Sequence, residues 1–207
     1  MTSASTSPAV EPLRLQFRRQ VREQALDTAH AMLVERGWDA LTVSAVAAAV
    51  GVSRPTFYKE FASKTDLGAA LVRRETERFL AGVGQVLEEH TDDADRAVAA
   101  AVRFTLLEAE ANPLLHAVLT STRGGSESLL PLLTTRSAPL LEAASAALTG
   151  WFAEHYPDLD EDTVAEGVDA VVRLVVSHMV LPAAPAEETA ERLARVATRY
   201  LHVPSLR

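Results

Sequence analysis

The chain has 207 residues, no cysteine and a net charge of −8 at pH 7, and 48% of its residues are hydrophobic. This length allows one or two compact domains, and the lack of cysteine excludes disulfides and thiolate chemistry. No apolar run approaches the roughly 18 residues of a membrane span, and the first residues lack the charged start and apolar core of a signal peptide. We therefore expect a cytoplasmic protein with no membrane partner.

Two segments precede the first informative motif. Residues 1–12 are rich in serine, threonine and proline, a composition that favours a disordered arm. From Leu13 to about Arg36 apolar residues recur at helical spacing, and Gly37 then ends the predicted helix. Basic residues gather near the start of this helix, at Arg14, Arg18, Arg19 and Arg22. A contact with phosphates and a solvated helix end explain this cluster equally well.

The segment Thr42–Phe61 predicts two short helices joined by a tight turn. Thr42 is suited to cap the first helix. Gly51 follows the last apolar residue of that helix, where glycine adopts a left-handed C-cap conformation at least cost. Ser53 is a natural cap for the second helix, and Pro55 falls in its first turn, where the missing N–H costs little.

The outer face of the second helix carries side chains that a DNA major groove could accept. Phe57 and Phe61, four residues apart, should face inward. The polar residues left facing outward are Arg54, Thr56, Tyr58 and Lys59. The two cations reach guanine edges or phosphates, the threonine offers a hydroxyl and a methyl group, and the tyrosine can donate to a phosphate oxygen. An ordinary helical hairpin with a polar outer face explains the same spacing about as well.

The region from about Ala25 to Leu71, roughly a quarter of the chain, resembles the DNA-binding domain of TetR-family transcriptional regulators. It has a Gly-Trp helix end, an alanine-rich helix, a Gly-Val-Ser turn, a Thr-Phe-Tyr helix and a Ser-Lys start to the next helix. The matching residues are Gly37, Trp38, Leu41, Thr42, Val43, Val46, Ala47, Val50, Gly51, Val52, Ser53, Thr56, Phe57, Tyr58, Phe61, Ser63, Lys64 and Leu67. Two positions depart from the common pattern: Glu60 stands where histidine or tyrosine is frequent, and Pro55 where a small residue is frequent.

The resemblance implies how the protein meets double-stranded DNA. It implies a phosphate contact for Lys64, so the full set of candidate DNA-binding residues is Thr42, Ser53, Arg54, Pro55, Thr56, Tyr58, Lys59 and Lys64. It also implies a homodimer through the last two long helices, which would place two recognition helices in successive major grooves of a palindromic operator. The charge distribution suits such docking, since residues 13–78 hold 11 basic and 8 acidic residues, a net +3, and the rest carries −11. A difference of this size could also arise by chance.

Beyond the motif the chain is a run of helical patterns. A helix should start at Ser63, continue to Leu87 and link the two domains. Gly82 and Gly84 lie inside this helix and mark either a soft point or a close packing contact. Further helices are predicted near 98–111, 112–118, 129–156, 160–179 and 186–201. The last has one apolar face, formed by Leu193, Val196, Ala197 and Tyr200.

Sequence signatures of catalysis and metal binding are missing. There is no glycine-rich phosphate loop, zinc-protease helix or nucleophile elbow. None of the six histidines forms a close pair with metal-ligand spacing. We therefore expect no enzyme activity, no cofactor and no metal. His178 lies in an apolar helix, where a histidine is more often part of a core or interface than a ligand contact.

Together these patterns predict an all-α protein of about nine helices. Its parts should be a disordered arm over 1–12, a three-helix helix-turn-helix DNA-binding domain over 13–64, and a larger helical ligand-binding and dimerisation domain over 65–207. The predicted function is a ligand-responsive transcriptional regulator, most often a repressor in the family it resembles, that an unknown small-molecule effector releases from DNA. The alternatives are an effector-independent structural DNA binder, which predicts no cavity in the body, and a helical enzyme that binds a small molecule.

The effector is expected in the core between the helices near 98–111, 112–118, 129–156 and 160–179. The candidate pocket residues are Phe79, Phe104, Leu107, His116, Trp151, Phe152, Arg173 and Met179. Ordinary core packing is the competing role for each of them. An effector with a carboxylate or acyl group would need a basic partner, and the central body offers Arg103, Arg123 and Arg173.

Overall fold

The computed structural model describes residues 13–112, 114 and 137–201, and these residues form eight helices and their connecting turns. The helices are α1 (Leu13–Ala40), α2 (Val43–Val50), α3 (Arg54–Tyr58), α4 (Lys64–Glu88), α5 (Ala94–Ala111), α6 (Ser137–His155), α7 (Glu161–Val180) and α8 (Ala186–Tyr200). The described part contains no strand, which confirms the all-α class. The arm over 1–12 and nearly all of the helix predicted near 112–118 lie outside the described residues.

The described residues divide into two compact units, and the boundary between them falls within α4. The N-terminal unit ends at Leu71, and the C-terminal unit begins at Val72. The N-terminal unit therefore holds α1, α2, α3 and the first turns of α4. The C-terminal unit holds the rest of α4 together with α5 to α8.

The core of the N-terminal unit forms around two phenylalanines. Phe57 and Phe61 are fully buried, and their ring centroids are 5.3 Å apart. Burial of a phenylalanine side chain contributes about 1.5–3 kcal/mol, so this pair fixes α3 against its neighbours. Gly37 interrupts α1 with a φ of +76°, as its position in the sequence predicts. Aliphatic residues from α1, the α1–α2 turn, α2 and α4 complete this core: Val21, Ala25, Leu26, Leu41, Val46, Leu67 and Leu71.

The C-terminal unit is built on α7, with α6 and α8 packed against it and α5 packed along α8. On α8, Leu193 and Ala197 are buried, whereas Val196 is 49% and Tyr200 is 46% exposed. The four residues lie on one helix face, as their spacing predicts, but only Leu193 and Ala197 reach the core. Val196 and Tyr200 occupy the adjacent helical row, four residues apart.

Glycine has a packing role at one of the two positions inside α4. A Cβ atom at Gly82 would overlap the ring of Phe104, whereas a Cβ at Gly84 would meet no atom within 4 Å. Of the two interpretations of these glycines, close packing therefore applies at Gly82. The contact brings α5 against α4 through Phe104, whose ring also stacks on Phe79 with centroids 6.1 Å apart.

None of the described helices is both long enough and apolar enough to cross a bilayer.

Candidate nucleic-acid interface and ligand cavity

Three local contacts shape the turn between α2 and α3. The Thr42 hydroxyl accepts a hydrogen bond from the backbone N–H of Ala45 at 3.1 Å, which caps α2. Gly51 ends α2 with φ +76° and ψ 25°, the left-handed conformation expected there. The Ser53 hydroxyl accepts from Thr56 N–H at 3.3 Å and caps α3. These three contacts confirm the predicted helix-turn-helix, although α3 ends at Tyr58, three residues before the predicted end.

The outer face of α3 presents side chains with no competing partner. Arg54, Tyr58 and Lys59 are exposed, Tyr58 by 50%, and they make no hydrogen bond or ion pair with any described residue. Thr56 is half-buried, and its hydroxyl lies 2.9 Å from that of Ser53. The face therefore offers two free cations, a phenol and a threonine methyl group. Pro55 is also exposed here and fixes the first turn.

Glu60 departs from the common family pattern, and its negative charge is paired within the N-terminal unit. Its carboxylate side chain is only 8% exposed, and Oε1 lies 2.6 Å from Nε of Arg18. The hydrogen bond and the charge of Glu60 raise the pKa of Arg18 above its ordinary value. Arg22 donates to the backbone oxygen of Glu60 at 3.3 Å and lies over the Phe61 ring. Arg18 and Arg22 thus tie the start of α1 to the end of the recognition segment.

Lys64 makes contacts that the sequence did not predict. Its Nζ donates to the backbone oxygen of Trp38 at 2.7 Å and to that of Asp39 at 3.4 Å. The same ammonium lies 4.8 Å from the centroid of the Trp38 ring, within cation–π range. Lys64 therefore stabilises the end of α1, where helix carbonyls lack intrahelical partners. The contact joins residues 26 positions apart, so helical spacing could not show it.

The C-terminal unit contains a partly open apolar cavity between α4, α5, α6 and α7, whose empty space, including the part open to solvent, is about 590 Å³. Its described wall consists of Phe79, Val83, Val98, Ala101, Val102, Thr105, Leu141, Ala144, Leu148, Val171, Val172, Val175, Val176 and Met179. Thr105 is the one hydroxyl-bearing residue among them, and that hydroxyl donates to the backbone oxygen of Ala101 at 2.8 Å. The described wall therefore offers apolar surface and leaves no hydrogen-bond donor for an occupant, only the acceptor lone pairs of the Thr105 hydroxyl.

The aromatic residues predicted for the pocket lie at or near this cavity. Phe79 lines it, as does Met179. Phe104 stacks on Phe79 and does not contribute to the described wall. Phe152 lines a smaller adjoining space of about 250 Å³. Trp151 is buried within an aromatic cluster at the end of α6, where its ring stacks on that of His155 at 4.9 Å.

Arg173 and Arg103, two of the basic residues predicted as partners of an effector, instead pair with carboxylates that do not belong to the described cavity wall. The Arg173 side chain is 70% exposed and pairs with Asp169 at 2.7 Å, a hydrogen bond that raises the pKa of Arg173 and lowers that of Asp169. Arg103 lies 3.6 Å from Glu187 and is half exposed. Leu107 is 45% exposed and is absent from the described wall. His116 and Arg123 lie outside the described residues.

Most of the cavity wall was missed by the sequence reasoning. The valines of α7 recur at helical spacing, a pattern that predicts a buried face without showing whether that face packs against atoms or lines a space. The distinction depends on neighbours from three other helices. Among the described residues, no group of three His, Asp or Glu side chains could hold a metal ion.

Two family models match the chain. The model described as bacterial regulatory proteins of the tetR family matches residues 25–71, and the model of the bacterial tetracyclin repressor C-terminal domain matches residues 93–199. The first covers the segment with the recognition helix, and the second covers most of the C-terminal unit.

Relatives of known name are similar over the whole chain. The HTH-type transcriptional regulator AlkX of Mycobacterium tuberculosis is 31% identical over 199 residues, which cover 96% of this chain and 93% of that protein. The crystal structure of the TetR family repressor AlkX from a Dietzia strain, implicated in biodegradation of n-alkanes, has a TM-score of 0.67 and 27% identity, covering 88% of this chain and 98% of that one. The fatty acid degradation regulator FadR from Bacillus halodurans shares the fold alone, with a TM-score of 0.59 and 17% identity over 90% of this chain and 97% of that one.

Proposed function

The chain belongs to the TetR family of bacterial transcriptional regulators, and from that premise we propose that it is a repressor released from its operator by an apolar small molecule. That it is a DNA-binding helix-turn-helix regulator follows from the family. Members of such families are generally not enzymes. Our proposal concerns three things: that the protein represses transcription, what its effector is, and which residues contact each partner. We also expect the protein to act in the cytoplasm, where bacterial DNA lies.

For DNA binding, we assign base readout to Arg54 and Thr56 and phosphate contacts to Tyr58 and Lys59. The support is that Arg54, Tyr58 and Lys59 are exposed and free of partners within the described residues. Their side chains need no rearrangement before they bind. Thr42, Ser53 and Pro55 hold the turn and start of α3 that present this face. We assign Lys64 to the end of α1, where its ammonium is bonded to backbone oxygens, in place of the phosphate contact that the family resemblance implies.

For assembly, we propose a homodimer through α7 and α8. These two helices and their ends expose apolar side chains that the C-terminal unit does not cover. They are Leu174, Val180, Leu181, Val196 and Tyr200, which are 40–77% exposed. A second copy of the chain would bury them in a symmetric four-helix contact. Such a dimer would carry two recognition helices and would require a palindromic operator.

The apolar cavity is the observation that carries the effector proposal. A concave apolar space of this kind can take a small ligand, and a wall whose one hydroxyl already donates to the backbone favours a hydrocarbon chain. The AlkX repressor from Dietzia is described as implicated in n-alkane biodegradation, which agrees with an effector bearing an alkyl chain. The cavity also argues against the alternative of a structural DNA binder without an effector, because that alternative predicted a body with no cavity.

Sequence selection tests the DNA part of the proposal. Purified protein would select from random duplex DNA at a fixed salt concentration, and the enriched sequences would be read. We expect a palindrome with half-sites about one helical turn apart. The variant Arg54→Ala should lose preference at one base pair of each half-site, with a discrimination loss of ~1–3 kcal/mol. Lys59→Ala is the control and should keep the motif while it binds all sequences more weakly. Enrichment without symmetry, or a motif unchanged by Arg54→Ala, would refute the assigned readout.

A further inference from the structure

A second cavity lies beside the apolar one, and its wall is polar in part. Its empty space, including the part open to solvent, is about 480 Å³, and its described lining includes Glu110, His178, Met179 and Thr189. Met179 lines both cavities. The two spaces are therefore neighbours that both touch Met179, whose flexible side chain can change its rotamer at little cost.

The two cavities follow one another along the same pair of helices. On α5 the lining residues advance from Val98 through Thr105 in the apolar cavity to Leu106 and Glu110 in the second. On α7 they advance in the same sense, from Val171 through Met179, and the second cavity continues to Pro182 beyond the helix. An extended ligand lying along α5 and α7 would thus have its chain among valines and its end in the polar space.

His178 supplies a hydrogen-bonding group in that polar space. Its Nδ1 atom is buried and has no hydrogen-bond partner within the described residues. A buried polar atom without a partner is costly, and a ligand that bonds to it recovers the cost. By contrast, the Thr189 hydroxyl is already directed to the backbone oxygen of Ala184 at 3.5 Å.

The charges around the second cavity favour a neutral head group. Glu110 is the charged residue in its described lining, and no lysine or arginine belongs to that lining. Glu110 is exposed, so solvent weakens its repulsion of a carboxylate head, but the described lining supplies no cation to bind such a head. A hydroxyl both donates and accepts, so it fits Nδ1 in either tautomer of the imidazole.

From this arrangement we propose that the effector is a neutral amphiphile, with an alkyl chain in the apolar cavity and a hydroxyl head bonded to Nδ1 of His178. The proposal rests on the proposed effector response and adds the chemistry of the head group. It assigns His178 as the residue that selects an alcohol over the hydrocarbon of equal length, and Glu110 as the residue that disfavours the fatty acid.

Three ligands of equal chain length test this assignment: octanol, octanoate and octane. Their dissociation constants would be measured by displacement of a fluorescent apolar probe from the full-length protein, without DNA. We expect octanol to bind more tightly than octanoate. His178→Leu should weaken octanol by about tenfold, the effect of one lost hydrogen bond, and should leave octane within about twofold. His178→Asn, whose amide stands near the position of Nδ1, should keep most of the octanol affinity.

Further outcomes separate this proposal from the proposed function. Glu110→Gln should tighten octanoate selectively, and circular dichroism would show that each variant is folded. Equal changes for octanol and octane in His178→Leu, or tighter binding of octanoate than of octanol by the wild type, would overturn the head-group assignment while leaving an apolar effector in place. No binding of any of the three ligands would overturn the effector cavity itself. Octanol binding that depends on His178 but leaves DNA affinity unchanged would uphold the site and refute only its regulatory role.

Discussion

The recognition face of α3 and the apolar cavity of the C-terminal unit use their polar groups in opposite ways. In the recognition segment the short hydroxyls of Thr42 and Ser53 accept backbone hydrogen bonds as the caps of α2 and α3, and the long charged side chains of α3 are left exposed. In the cavity the one hydroxyl, on Thr105, donates to a backbone oxygen, and no hydrogen-bond donor is left in the described wall. The first surface is therefore prepared for an anionic partner and the second for an apolar one.

The comparison shows that partner chemistry is set by which polar groups the fold leaves unsatisfied. Hydrogen bonds with water compete strongly at an exposed face, so charge and geometry decide binding there. In an enclosed apolar space, removal of hydrocarbon surface from water supplies the free energy. The two sites are joined covalently through α4, which begins at Lys64 and supplies Phe79 and Val83 to the cavity wall.

The largest effect is expected at two adjacent residues of α3, one of which supports folding and the other DNA binding. Phe57 is fully buried and Tyr58 is 50% exposed. Phe57→Ala should destabilise the protein by about 3–5 kcal/mol, because it opens a cavity in the core of the N-terminal unit. Tyr58→Phe should change stability by less than about 0.5 kcal/mol and weaken DNA binding for all sequences by about 0.5–1.5 kcal/mol through one lost hydrogen bond.

Urea unfolding and operator titration would measure both variants of this pair. If Tyr58→Phe destabilised the protein while its DNA affinity stayed unchanged, the division of α3 into an inner and an outer face would be wrong.

The next effect concerns the cavity wall and compares the two glycines inside α4, Gly82 and Gly84. Both substitutions gain helix propensity, so Gly82→Ala should be less stable than Gly84→Ala by about 1–3 kcal/mol, because only its methyl group meets the Phe104 ring that stacks on Phe79. Gly84→Ala meets nothing within 4 Å and should stabilise the helix by up to about 1 kcal/mol. Thermal unfolding of both variants checks the pair, and equal stability of the two variants would show that the close contact is absent.

The smallest effect separates the two lysines of the N-terminal unit. Lys64→Met should lower the free energy of unfolding by about 1 kcal/mol, because the backbone oxygen of Trp38 loses a donor. It should leave the salt dependence of DNA affinity nearly unchanged. Lys59→Ala should do the reverse and reduce the slope of log affinity against log salt by about one, as expected for one lost phosphate contact. A slope reduced equally by both changes would give Lys64 a phosphate contact as well.

The recognition segment could be predicted from the sequence because its determinants are local. The caps at Thr42 and Ser53, the left-handed Gly51 and the inward pair Phe57 and Phe61 all act within 20 residues, and the structure has each of them. The ion pair of Arg18 with Glu60 could not be predicted, because it joins residues 42 positions apart. The sequence alone therefore shows no partner for the charge of Glu60.

The cavity could be located only coarsely. Its approximate helices were predicted, but its wall draws on residues from Phe79 to Met179, and whether such residues meet or leave a space depends on packing. Polar candidates such as Arg173 were chosen for their charge, yet an i,i+4 carboxylate at Asp169 satisfies that charge on the helix surface. The unsatisfied atom of His178 becomes visible only once its neighbours are known.

The coupling between DNA binding and ligand binding is tested most directly by measuring operator affinity at fixed salt, with and without a saturating apolar ligand. The DNA recovered by sequence selection would serve as the operator, and octanol as the ligand. We predict that the ligand weakens operator binding by about fivefold or more, and that the operator weakens ligand binding by the same factor, as thermodynamic linkage requires. A ligand that binds the cavity and leaves operator affinity unchanged would contradict the claim that the two regions act as one switch.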